Sequence, residues 1–192
     1  MNYLAHAHLA RSSDEFLLGS IIGDFVKGSI EDLFSPQITS GIVFHRRVDA
    51  FADGHEMSRA SRALFRAQHR RYAGVILDIC YDHFLAKNWS AYADADFTSF
   101  IAHVYATLRH YRNILPTGLQ AVMPRMMRQN WLACYRTLEG VDITLSRMAR
   151  RISRQNVLAE SIGEIRENYR LLERNFHVFY PELVDFARSY CR

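Results

Sequence analysis

The stretch Tyr72–Trp89, YAGVILDICYDHFLAKNW, constrains this chain more than any other. It is apolar along most of its length, has no Pro and a single Gly, and is too long for a typical strand, so it predicts a helix. Val75, Ile76, Leu77, Ile79, Cys80, Phe84 and Leu85 place apolar side chains in nearly every direction, the pattern of a buried helix. Asp78 and Asp82 lie four residues apart and leave the same helical face, with His83 beside them. Buried carboxylates are costly unless something positive compensates them, either arginine or a metal ion.

At 192 residues the chain is long enough for one domain with a sizeable core, and it is read as a single domain over residues 1–192. No apolar run approaches the length of a bilayer span, and the N-terminal MNYLAHAHLARSSDE has no signal-peptide pattern. Cys80, Cys134 and Cys191 form no CxxC pair and no even framework, which makes a reducing cytoplasm the default expectation. Lys27 and Lys87 are the only lysines; every other basic side chain is Arg. Arginine suits phosphate and carboxylate, although codon bias explains such a preference equally well.

Helical signals run the length of the chain. Ser12-Ser13-Asp14-Glu15 reads as a capping box ahead of FLLGSIIGDFVK, with Gly28 as its stop. Ser35-Pro36 opens a helix reaching Gly54. Ser58 opens an arginine-rich helix to about His69, followed by the central helix. Asp96 caps a helix that ends before Leu115-Pro116. Pro124 interrupts or restarts the next one, which MRQNWLACYRTLE continues, and Gly140 breaks the pattern before VDITLSRMARRIS. Val157–Phe179 reads as one long amphipathic segment, and Pro181 begins the last helix. No strand ladder is evident, and the expected class is all-α.

His45 and Asp49 are spaced i, i+4 beside an apolar stripe, and Asp24 sits near a helix C-terminus, where the helix dipole opposes a negative charge. Asp24, His45, Asp49, Asp78, Asp82 and His83 each border an apolar helical face. Imidazoles and carboxylates without thiolates suit Mn²⁺, Fe²⁺ or Mg²⁺ better than structural zinc. Each also has a structural explanation: a surface hydrogen bond for His45–Asp49, and arginine partners for Asp78 and Asp82. His6 and His8 diverge on a helix, so only one can face a given site. Arg59, Arg62, Arg66 and Arg70 form a stripe on the arginine-rich helix, either a solvated face or a docking surface for an acidic partner or a nucleic-acid backbone. Arg147, Arg150, Arg151 and Arg154 are similarly spaced, with no carboxylate cluster near them in sequence.

MNYLAHAHLA, LLGSIIGDFVKG, GIVFHRRVDAFADGH, RRYAGVILDICYDHFLAKNW and MPRMMRQNWLACYRTLEG, in that order, strongly resemble the acyl carrier protein phosphodiesterase family. The resemblance implies a bacterial, cytoplasmic, Mn²⁺-dependent hydrolase that removes 4′-phosphopantetheine from holo acyl carrier protein. It also implies an all-helical bundle related to the HD-type metal phosphohydrolases. It points to Asp24, His45, Asp49, Asp78, Asp82 and His83 as the metal-ligand set. The chain contains no His-Asp dipeptide, only the reversed Asp82-His83, so the usual HD ligand order does not transfer. In the mechanism this implies, His6 or His83 serves as general acid, and Lys27, Arg46 and Arg47 neutralise the phosphate. The arginine stripe then docks the acidic carrier. A phosphohydrolase of nucleotides or small phosphoesters would need the same carboxylates without the stripe. A non-catalytic helical module binding nucleic acid would leave the carboxylates unexplained.

Overall fold

The computed structural model describes residues 2–30, 33–152 and 156–190. Among them there is no strand, and the all-α expectation holds. Eleven α-helices follow one another: α1 Tyr3–Leu9, α2 Asp14–Ile22, α3 Pro36–Gly54, α4 Glu56–Ala63, α5 Ala73–Lys87, α6 Phe97–His110, α7 Thr117–Arg128, α8 Trp131–Cys134, α9 Leu138–Ala149, α10 Ile162–Glu167 and α11 Tyr169–Tyr190. No described helix is long and apolar enough to cross a membrane.

The helix starts follow the local chemistry. Ser13 Oγ accepts from the Phe16 amide, Ser35 Oγ from the Ile38 amide with Pro36 at the first helical position, and the Asp96 carboxylate from the Ser99 amide. Glu15 closes no box at α2. Its carboxylate accepts instead from Ser35 Oγ at 2.7 Å, while Ser13 Oγ donates to Gln37 at 2.6 Å, so the starts of α2 and α3 are tied together. These two helices pack closely because both carry glycine at the contact. A Cβ on Gly19 would lie 2.1 Å from the Ile38 carbonyl oxygen, and one on Gly41 would lie 2.3 Å from that of Phe16. The buried apolar side chains form one cluster reaching from Leu4 to Ala187, with α5 running through it.

Several boundaries differ from expectation, each for a tertiary reason. α2 ends at Ile22 and a 3₁₀ turn, Gly23–Phe25, follows. α7 continues through Pro124, since burial of Leu119, Met123 and Met126 on its other face outweighs the missing amide bond. Its break comes later, at Asn130, which adopts the left-handed conformation with φ 43°. Gly140 lies inside α9, where a Cβ would clash with the Cys134 carbonyl; it permits close approach and interrupts nothing. The segment expected as one helix from Val157 is divided into a 3₁₀ turn, α10 and α11, with a break at Asn168, and α11 runs through Pro181.

The arginine stripe is not one helical face. α4 stops at Ala63, so only Arg59 and Arg62 belong to it. The chain turns there because Phe65 is buried and the Arg66 amide donates to the Glu164 carboxylate at 2.8 Å. Arg70 lies in the 3₁₀ turn Ala67–Tyr72. Arg62 is bound to Asp53 at 2.8 Å and Arg66 to Glu167 at 2.7 Å.

His8 anchors α1 to α11. Its Nε2 donates to the Tyr92 carbonyl at 3.0 Å, and its Nδ1 accepts from the Tyr180 hydroxyl at 2.8 Å. Burial first, then the Arg11 charge, pulls its pKa down to about 3, against the Tyr92 carbonyl. The unfolded chain therefore binds a proton that the fold excludes. His8's contribution is complete above its ordinary pKa of about 6.5 and drains as pH falls toward its folded value. Between about pH 7 and pH 5, wild type should lose about 2 kcal/mol more stability in urea than His8→Gln. Equal losses in the two proteins would remove His8 from the pH response.

Candidate metal centre

Three elements converge on one group of four side chains. α1 brings His6, the 3₁₀ turn after α2 brings Asp24, and α3 brings His45 and Asp49 one turn apart. His6 Nε2 lies 3.1 Å from Asp49 Oδ1, and His45 Nε2 lies 3.1 Å from Asp49 Oδ2. The two imidazoles stack with centroids 3.8 Å apart and planes inclined by 15°. His6, His45 and Asp49 each offer a ligand atom within 4.8 Å of the others. Asp24 Oδ1 is 3.4 Å from His45 Nε2, at the rim, where its side chain is 57% exposed while the histidines are buried.

The surrounding structure orients both rings. Ser20 supplies its carbonyl to His45 Nδ1 at 2.7 Å, and its hydroxyl donates to the His6 carbonyl at 3.1 Å. A ring nitrogen facing a carbonyl must carry the proton, so His45 Nδ1 is the N–H and Nε2 points at two carboxylates. That nitrogen needs either a second proton or a metal ion, and the carbonyl-fixed tautomer is the usual support of a metal-binding histidine. Burial lowers the His45 pKa, but Asp24 and Asp49 outweigh it and hold it at about 9. Burial raises the Asp49 pKa, and the bonds to His45 and His6 reverse this, keeping the carboxylate well below its usual range. His6 is pulled down to about 4 by burial, partly offset by Asp49, and stays neutral; its buried Nδ1 has no hydrogen-bond partner. Two imidazoles and a carboxylate, with a second carboxylate adjacent and no thiolate, form a donor set that fits a divalent ion of the Mn²⁺, Fe²⁺ or Mg²⁺ kind.

Of the residues singled out in the sequence, Asp24, His45 and Asp49 come together, and His6 joins them as a donor. Asp82, His83 and Asp78 lie outside the group of three donors. Asp82 is fully buried, and its two oxygens accept from the Leu4 and Ala5 amides at 2.9 and 3.0 Å. These amides belong to the first turn of α1 and have no acceptor within the helix, so Asp82 holds the helix that carries His6. Burial pushes its carboxyl up to about 7, against the pull of those two amides. Burial also raises the pKa of Asp78, which is half-buried one turn earlier. His83 bonds the Tyr135 carbonyl at 2.7 Å and the Tyr169 hydroxyl at 2.9 Å; Lys87 reaches the same hydroxyl at 3.1 Å.

Asp82→Ala should strand both α1 amides and lower stability by roughly 2–4 kcal/mol. Asp82→Asn keeps one acceptor and should lose less. Thermal or urea unfolding reads the difference, and an Asp82→Ala protein as stable as wild type would contradict this placement.

Arg46 clamps the loop after Asp24, donating to the Val26 and Gly28 carbonyls at 3.1 and 3.2 Å, while Lys27 and Arg47 are exposed. Arg59 and Arg70 are exposed as well. Gly23 is a site residue that sequence reasoning passed over. A Cβ there would lie 2.3 Å from His45 Cγ, so only glycine leaves room for the ring. Its signal was the Gly-Asp pair that opens the turn.

The family model for acyl carrier protein phosphodiesterase matches residues 1–183. A protein of Yersinia enterocolitica named acyl carrier protein phosphodiesterase is 35% identical over 190 residues, covering 98% of each chain. Its namesake from Photorhabdus laumondii is 36% identical, covering all of this chain and 98% of its own, and that from Serratia proteamaculans is 35% identical with 98% of each covered. No solved structure matches. With full-length matches to proteins of one name, and a family model spanning every residue of the metal group, this chain belongs to the acyl carrier protein phosphodiesterase family.

Proposed function

We propose that the chain hydrolyses the phosphodiester joining 4′-phosphopantetheine to a serine of holo acyl carrier protein, releasing the apo carrier, and does so in the cytoplasm. The observation that carries this reading is the convergence of His6, His45 and Asp49 in a chain matched end to end by proteins named for that activity. His6, His45 and Asp49 would hold a divalent ion, Mn²⁺ in this reading, with Asp24 beside them. When bound, such an ion polarises a phosphoryl oxygen and lowers the pKa of a water molecule, the two needs of phosphodiester hydrolysis.

The chain's own residues supply orientation and charge. Ser20 fixes the His45 ring through Nδ1, and Asp82 fixes α1 and with it His6. Asp24, whose carboxyl the His45 bond holds below its usual range despite burial, is the exposed acceptor at the rim for a proton from water. His6 serves as a ligand in this assignment, and His83 stays in its own network with Tyr135 and Tyr169. Exposed Lys27, Arg47, Arg59 and Arg70 present positive charge to an acidic carrier surface, which steers encounter and is screened by salt.

A panel of substrates tests the reading. With Mn²⁺ present, holo carrier protein should release 4′-phosphopantetheine, while nucleotides and simple phosphodiesters should turn over at least about 100-fold less efficiently, because they lack the carrier's binding energy. Faster turnover of a nucleotide than of holo carrier would favour a small-molecule phosphohydrolase instead.

A further inference from the structure

The second arginine group acquires a neighbour in the fold that its sequence surroundings do not show. Arg154 lies outside the described residues. Arg147 stands in the last turn of α9, and Arg151 follows just beyond it. Both line a pocket of about 120 Å³ that is also lined by Asp24, the carboxylate 3.4 Å from His45 Nε2. The pocket therefore adjoins the metal group through Asp24 and carries two guanidinium-bearing side chains in its lining.

Its remaining walls are mostly apolar. Tyr3, Trp131 and Met148 line it, with Asn2 and Thr144 as polar points. The Arg147 guanidinium lies over the Trp131 ring, 5.2 Å from its centroid, a cation–π contact that holds the fork in place before any ligand arrives. Tyr3 stacks on Phe25, whose 3₁₀ turn also carries Asp24, and the Tyr3 phenol feels the charges of both Asp24 and Arg151. The lining thus combines a carboxylate next to the candidate metal group, two guanidiniums, and a mostly apolar, aromatic remainder. Such a combination fits a phosphate ester whose next atoms are a branched hydrocarbon.

We propose that this pocket is the subsite for the phosphate and the adjoining gem-dimethyl carbon of the prosthetic arm, with Arg147 and Arg151 as substrate-binding residues and Trp131 as their platform. The inference rests on the reading of the chain as a carrier-protein phosphodiesterase and names where the arm lies. A guanidinium binds phosphate through paired N–H donors, so Arg147 and Arg151 grip the arm's phosphate in the pocket that Asp24 also lines. The gem-dimethyl group packs against Tyr3, Trp131 and Met148. Hydrolysis converts a monoanionic diester into a monoester that carries more negative charge, so the same pocket also retains the released product.

Product binding gives a readout that does not require turnover. Free 4′-phosphopantetheine should change the fluorescence of half-buried Trp131 in the Mn²⁺-loaded protein, and Trp131→Phe should abolish that signal. Trp89 is buried, with its indole N–H bound to the Ala95 carbonyl, and should contribute little. Arg147→Gln and Arg151→Gln should each weaken binding about tenfold and raise KM for holo carrier, with Mn²⁺ affinity unchanged. Arg150→Gln, an exposed neighbour outside the pocket, should bind like wild type. Pantetheine without its phosphate should bind wild type and Arg147→Gln alike. Wild-type affinity in both Arg147→Gln and Arg151→Gln, or an equal loss in Arg150→Gln, would overturn the subsite. If wild type releases the arm from holo carrier while these variants match it, only the subsite is wrong. If wild type leaves holo carrier intact, the broader reading fails.

Discussion

Asp49→Ala is expected to reduce turnover by about 10³-fold or more, to a level near that of the metal-free protein. The carboxylate contacts both imidazoles, through Oδ1 to His6 and Oδ2 to His45. Removing it would take away one of the three proposed ligands and the partner that bridges the two rings. Without Asp49, His45 Nε2 keeps only the longer approach to Asp24, and burial then pulls the ring's pKa down from about 9. The expected signs are loss of Mn²⁺ binding by calorimetry, loss of activity and a retained helical spectrum. An Asp49→Ala protein that binds Mn²⁺ and turns over like wild type would remove this group from the chemistry.

Gly23→Ala, which alters no ligand, should cost nearly as much. Gly23 has φ −50°, so alanine suits its backbone and the entire penalty falls on the His45 ring, whose Cγ and Cδ2 would lie 2.3 and 2.5 Å from the new Cβ. The ring must move, and with it Nε2. Displacing a catalytic group by about 1 Å costs about 10²-fold, so activity should fall by roughly that factor, with weaker Mn²⁺ binding. Gly163→Ala, where a Cβ meets nothing within 4 Å, serves as the control and should leave both quantities unchanged. A Gly23→Ala protein indistinguishable from this control would mean that the ring's position does not matter.

The difference between what was legible in the sequence and what was not follows the range of the forces involved. α3 could be read almost to the residue, and α5 and α6 to within a few residues, because caps and apolar spacing are local: Ser35-Pro36, the apolar run within Tyr72–Trp89, and Asp96 all act over short range. His45 and Asp49 were legible as a pair for the same reason. Asp82 was not, because a buried helix gives no clue to which neighbour meets its polar side; the partners proved to be amides 77 and 78 positions earlier. His6 arrives on α1 from a separate part of the chain, and tertiary contacts through Ser20 and Asp82 bring it to Asp49. The arginine stripe failed at Ala63, where burial of Phe65 and the Glu164 carboxylate ended a helix whose composition favoured continuing. Pro124 and Pro181 were overruled in the opposite direction, by apolar faces long enough to carry a helix past a missing amide.

The central claim is that this chain releases the arm from the carrier and needs for it a divalent ion that His6, His45 and Asp49 would hold. The mass of holo acyl carrier protein after incubation with chelator-treated protein, with and without added Mn²⁺, tests it most directly. The predicted result is a carrier of unchanged mass without Mn²⁺, and with Mn²⁺ a carrier lighter by one 4′-phosphopantetheine. Loss of the arm by rigorously metal-free protein, or an intact holo carrier in the presence of Mn²⁺, would contradict the account.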